Sequence, residues 1–113
     1  MNVAANVEGK HILITGGGSG IGAASARVLS ARGATVGIAD LNKGNAKTLA
    51  EEIVAAGGKA YAVAVDVTEP AQVKAMFDTA LSHNDKIDVI INNAGIDHFP
   101  APLTEVDDAM FMK

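Results

Sequence analysis

The chain has 113 residues, 49% of them hydrophobic and only 4% aromatic, with a net charge of −4 and no cysteine. That length suits one domain able to bury roughly 60–70% of its unfolded surface, and the apolar content argues against disorder. The negative balance speaks against nucleic acid or an acidic membrane as partner. The lack of cysteine excludes a disulfide framework, a thiolate metal site and a thiol nucleophile.

The lead-in, Met1 to Lys10, carries Glu8 and no apolar segment of the kind a secretion signal needs. No run approaches the ~18 apolar residues of a membrane helix. A soluble, cytoplasmic protein is therefore expected.

Lys10 to Thr15 reads as a strand, apolar through its middle as when both faces are covered. Gly16-Gly17-Gly18-Ser19-Gly20-Ile21-Gly22 follows as a glycine-rich turn running into a helix from about Gly20 to Arg32, with Ile21, Ala24, Val28 and Leu29 at helical spacing. The first N–H groups of such a helix have no partner within it, and the helix dipole adds positive charge there, so the turn suits a phosphate or pyrophosphate. Gly18, Gly20 and Ala23 give one literal match to the dinucleotide fingerprint; alone, a glycine cluster is equally a flexible loop.

Gly33 ends that helix. Thr35 to Ala39 is a second strand closed by Asp40. A helix from about Asn42 to Ala56 carries Ala46, Leu49, Ala50, Ile53 and Val54 as its apolar stripe, and Gly57-Gly58 stops it. Lys59 to Val65 is a third strand ending at Asp66, with Val67 beyond. Thr68 is the expected N-cap of the next helix and Pro70 is tolerated in its first turn. Val73, Met76, Phe77, Ala80 and Leu81 supply the clearest helical period in the chain.

Ile87 to Ile91 is a fourth strand, followed by Asn92-Asn93-Ala94-Gly95 and a loop marked by Pro100 and Pro102. Thr104-Glu105-Val106-Asp107 has the form of a capping box. It opens a helix that still lacks a C-cap at Lys113, so the domain is expected to be incomplete at its C-terminus. Strand–helix alternation of this kind gives an α/β fold with a doubly wound, Rossmann-type parallel sheet of order 3-2-1-4, truncated before the later strands. Ligands in such sheets sit at the carboxyl ends of the strands, where the order reverses.

Several residues converge on that edge. Asp40, about 20 residues past the turn, stands where a carboxylate accepts both hydroxyls of an adenosine ribose and repels a 2′-phosphate. Neither Ser19 nor Leu41 supplies a cation, which favours NAD over NADP. The plain alternative is an aspartate that caps a turn. Asp66 and Val67 could meet an adenine, or simply close a strand. Asn92 to Gly95 could tie strand ends together beside a cofactor, or form an ordinary Asn/Gly turn.

Taken jointly, Thr15-Gly-x-x-x-Gly20-Ile21-Gly22, Asp40, Asp66-Val67 and Asn92-Asn93-Ala94-Gly95 resemble the N-terminal half of a classical short-chain dehydrogenase/reductase. The resemblance implies that Gly16, Ser19, Gly20 and Ile21 line a pyrophosphate, Asp40 the adenosine ribose, and Asp66 and Val67 the adenine. Asn93, Ala94 and Gly95 would lie near the cofactor's ribose. It further implies an NAD(H)-dependent oxidoreductase moving hydride between nicotinamide and an alcohol or carbonyl carbon. The family's Ser and Tyr-x-x-x-Lys find no counterpart. Tyr61 is the only tyrosine and is followed four positions later by Val65, while Ser19, Ser25, Ser30 and Ser82 all lie in the cofactor half. His11, His83 and His98 show no metal-ligand spacing, so no catalytic or metal residue is assigned.

This chain alone is expected to be inactive, with its unfinished sheet driving self-association or docking to a companion chain. The remaining alternatives are a non-catalytic dinucleotide-binding module and a structural or interaction fragment.

Overall fold

The computed structural model describes residues 7–93 of the chain. Four strands, β1 (His11–Thr15), β2 (Thr35–Asp40), β3 (Lys59–Ala64) and β4 (Val89–Asn92), alternate with three helices, α1 (Gly20–Ala31), α2 (Lys43–Ala55) and α3 (Pro70–His83). The sheet is parallel throughout, in the order β3-β2-β1-β4. The expected strand order and α/β class are thus present. The expected helix after Thr104 and the positions Ala94 and Gly95 lie outside the described residues.

The period of two along β1 divides the core. Ile12 and Ile14 join Val36 and Ile38 beneath Ala23 and Ala26 of α1 and Ala46, Leu49, Ala50 and Ile53 of α2. Leu13 and Ala39 face the other way, with Tyr61, Val65 and Val67, onto Val73, Met76, Phe77 and Ala80 of α3. Every residue of β1 is buried, which accounts for its unbroken apolar middle.

Val54, read into the apolar stripe of α2, is 54% exposed. Two further local expectations are corrected. The apolar stripe read for α1 holds only in part: Leu29 packs against the core, but Ile21 is 78% and Val28 51% exposed, while Gly22, Ala23 and Ala26 are buried. The helix lies too close to the strands for large side chains to fit between. At Gly22 a Cβ would run into the carbonyl oxygen of Gly16 and stand 2.7 Å from Asn93 Nδ2.

The second correction concerns α3, whose N-cap is Glu69, with Pro70 at its start. The helix opens at Pro70, so Glu69 takes the N-cap position and Thr68 lies one residue too early; its N–H and its hydroxyl both donate to Asp66 Oδ1, at 3.0 and 2.6 Å.

Candidate functional site

The carboxyl ends of β1, β2 and β3 open on a cleft of about 670 Å³, within the range of small-molecule sites. Its lining brings together Gly16, Ser19, Gly20 and Ile21 from the glycine-rich turn, Asp40 from β2, Asp66 and Val67 from beyond β3, and Asn93 from the end of β4. All eight of the described candidate residues therefore border one space.

The turn itself requires glycine at two places, Gly16 and Gly20, whose φ angles are 65° and 58°, a region that side chains disfavour. It is pinned from three sides. Gly17 N–H donates to Ala39 O at 3.2 Å. Gly18 N–H donates to Asp40 Oδ2 at 2.8 Å. Asn93 Nδ2 donates to Gly16 O at 3.1 Å, while Asn93 N–H donates to Thr15 O at 3.1 Å.

Beyond the turn, α1 begins with Ser19 as N-cap, whose side chain makes no capping bond, and with no acidic residue in the first turn. The leading N–H groups and the positive end of the dipole thus meet no protein anion on their own helix.

Asp40 occupies the rim. Its Oδ1 accepts the Asn42 N–H at 2.9 Å and its Oδ2 the Gly18 N–H. Each carboxylate oxygen has more than one acceptor site, so both oxygens keep capacity toward the cleft. The turn-capping and ligand-facing readings of Asp40 are therefore compatible. Asp66 is more committed: besides holding Thr68, its own N–H donates to Gln72 Oε1 at 2.8 Å.

Leu41, Val65 and Thr68 also line the cleft and were not among the candidates. The signal for them was adjacency: in a parallel sheet, whatever follows each strand end opens on the same edge.

A second polar cluster lies toward the amino ends of the strands. His11 is fully buried. One ring nitrogen, Nδ1, lies 2.9 Å from Lys86 O, and the other, Nε2, lies 2.5 Å from the Tyr61 hydroxyl. The consistent assignment has Nδ1–H donating to the carbonyl and Nε2 accepting from the phenol. The Tyr61 ring stacks on His83, with centroids 3.9 Å apart. Burial pushes the Tyr61 phenol well above its ordinary value. Asp88 accepts the His11 N–H at 2.8 Å; that bond first, then nearby Lys86, holds its carboxyl below the usual range.

Tyr61 therefore serves the core and faces away from the cleft. Among the described residues no group of three or more His, Cys, Asp or Glu is placed to hold a metal, and no helix is long and apolar enough to cross a membrane.

Comparison with known proteins gives this geometry its relatives. The sequence pattern of the short chain dehydrogenase family matches residues 10–113. Cis-4-hydroxycyclohexanecarboxylate dehydrogenase of Sinomonas cyclohexanicum is 43% identical over 101 residues, 89% of this chain and 40% of the relative. The crystal structure of 3-ketoacyl-(acyl-carrier-protein) reductase from Brucella melitensis, complexed with NADH, superposes with a TM-score of 0.73 at 46% identity, covering 79% of this chain and 36% of that one. A short chain dehydrogenase/reductase from Burkholderia phymatum in complex with NAD gives a TM-score of 0.76 at 37% identity, over 79% of this chain and 32% of that one. The chain thus spans between about a third and two fifths of the length of these relatives, and it belongs to the short chain dehydrogenase family.

Proposed function

We propose that this chain is the NAD(H)-binding part of an oxidoreductase and holds chiefly the adenosine half of the cofactor. The observation that carries the reading is the convergence on one cleft of an uncapped helix N-terminus without acidic residues and the Asp40 carboxylate. These are the opposite chemistries that a pyrophosphate and an adjoining ribose require. The first turn of α1, with Gly16, Ser19, Gly20 and Ile21, would take the diphosphate. Asp40 would accept the ribose hydroxyls. Val67 and Leu41 offer apolar cover for the adenine, with Asp66 at its edge. Asn93 braces the turn from β4, and Ala94 and Gly95 are proposed as further cofactor-binding residues.

NAD(H), when bound, supplies the hydride chemistry. Hydride exchange with an alcohol or carbonyl also needs a group that moves a proton at the substrate oxygen. The only tyrosine in the sequence is bonded to His11, so this chain by itself is proposed to be inactive, and substrate turnover belongs to a longer enzyme. The proposed location is the cytoplasm. Among the described residues β4 pairs only with β1, and Val89 is exposed on it. An unpaired edge of this kind promotes pairing with another chain, so self-association or a companion chain is proposed as well.

Thermal unfolding tests the reading: ADP-ribose and NAD should both raise the midpoint in a concentration-dependent way, with no reduction of NAD when simple alcohols are added. A midpoint indifferent to both ligands would favour a purely structural fragment, and steady turnover would contradict the inactive assignment.

A further inference from the structure

The Asp40 carboxylate is oriented by two backbone donors, one on each oxygen: Gly18 N–H on Oδ2 and Asn42 N–H on Oδ1. The second comes from its own turn. The first comes from across the cleft rim, out of the glycine-rich loop. We propose that Gly18 is a positioning residue for Asp40, and that its N–H and its missing side chain together set the preference for an adenosine ribose without a 2′-phosphate. This rests on the adenosine-binding reading given above.

Space, rather than backbone conformation, makes Gly18 special. It is not among the residues with positive φ, so an alanine there does not meet the penalty of the left-handed region. A Cβ at this position would stand 2.7 Å from Asp40 Oδ2, 2.9 Å from Asn45 Cβ and 3.1 Å from Ala46 N. Neither Asn45 nor Ala46 can retreat easily, because both belong to α2 and Ala46 is fully buried. The movable neighbour is the carboxylate. A methyl group at position 18 therefore turns the Asp40 carboxylate out of its bond with Gly18, while its contact with Asn45 Cβ shifts the loop against α2.

The same contact divides the labour of the loop. The Gly18 amide is committed to the carboxylate, while the amides that open α1 remain for a phosphate. A loop that binds one anionic group of the ligand thus also aims the protein's own anion at the neighbouring sugar.

The test is calorimetry on the full chain with ADP-ribose and with its 2′-phosphate, using the unaltered protein, Gly18→Ala, Asp40→Ala and the double variant. The unaltered chain should favour ADP-ribose. Gly18→Ala should weaken ADP-ribose by about tenfold and the 2′-phosphate much less, so that discrimination collapses. In the Asp40→Ala background the Gly18→Ala change should act only through its contact with α2, lowering both affinities alike and by well under tenfold, because the coupling to the carboxylate disappears with the partner.

Equal losses for both ligands, or the same tenfold loss without Asp40, would show that the methyl group acts on α2 and would overturn the role of Gly18 alone. Failure of the unaltered chain to bind ADP-ribose would overturn the adenosine reading and this inference together. Amide exchange supplies an arm independent of ligand and of the folding of Gly18→Ala. The Gly18 N–H should be protected in the unaltered chain and lose about tenfold in protection in Asp40→Ala, and unchanged protection would overturn the proposal.

Discussion

Toward the amino ends of the strands, His11, Tyr61 and Asp88 turn their polar atoms on one another and on Lys86. Toward the carboxyl ends, Asp40, Asp66 and the start of α1 border a shared space. Both regions draw on strand-end residues and both use backbone donors to fix a carboxylate. They differ in what is left over. The His11 ring has both nitrogens engaged inside a fully buried site, so its hydrogen bonds serve the fold. Asp40 has one protein donor per oxygen and an open side. In the proposed reading, the ligand-facing end is distinguished by polar groups held in place with capacity remaining, and a polar residue alone does not distinguish it.

Substitutions at the two ends should therefore separate cleanly. The largest effect is expected for Asp40→Ala, which should weaken ADP-ribose by roughly 1.5–3 kcal/mol, the range for hydrogen bonds to a charged group. Calorimetry beside circular dichroism should show the affinity lost and the helix content kept. At the other end, Tyr61→Phe leaves His11 Nε2 buried without its partner and should cost about 1–3 kcal/mol of stability in urea, while ADP-ribose affinity of the folded chain stays the same. A loss of affinity in Tyr61→Phe would break the comparison.

Titration sharpens it further. The folded Tyr61 phenol is raised above its ordinary value of 10.0. Its contribution is fully present below that pH and is lost as pH rises beyond it, since the unfolded chain ionises first. Urea midpoints measured into the alkaline range should fall more steeply for the unaltered chain than for Tyr61→Phe. The Asp88 carboxyl is shifted the other way. Its contribution is present above the ordinary carboxylate value of 3.8 and disappears as pH falls through the lowered one. Asp88→Asn should flatten the acid limb, with an effect smaller than that of Tyr61→Phe, because the side chain sits near the surface beside Lys86.

Strand order and the position of the cleft were legible in the sequence because they follow from alternation and from the glycine-rich turn. The face of α1 was not. Large apolar residues at helical spacing, Ile21 and Val28, point outward, while the buried side is built from small residues, Gly22, Ala23 and Ala26, and at Gly22 the approach of Gly16 O leaves no room for a Cβ. Periodicity registers bulk, whereas this contact depends on its absence.

The His11–Tyr61 pair was equally hidden, since the two residues lie 50 positions apart and only the pairing of β1, β2 and β3 brings them together. Asp40 was identified by its distance from the turn, but its bond to Gly18 depends on how the turn folds back over β2. The cap of α3 falls on Glu69 because the helix opens at Pro70 and Thr68 belongs to the turn held by Asp66, a one-residue boundary that no local pattern reveals.

The central claim is that the residues of this chain meet the adenosine half of a dinucleotide and leave the nicotinamide half largely to others. Calorimetric titration of the same sample with ADP-ribose and with NAD tests it most directly. The account predicts that both bind, with affinities within about tenfold, or ~1.4 kcal/mol, of each other. Binding of NAD more tightly than that margin would reveal a nicotinamide pocket within these 113 residues, and absence of binding by either ligand would contradict the account altogether.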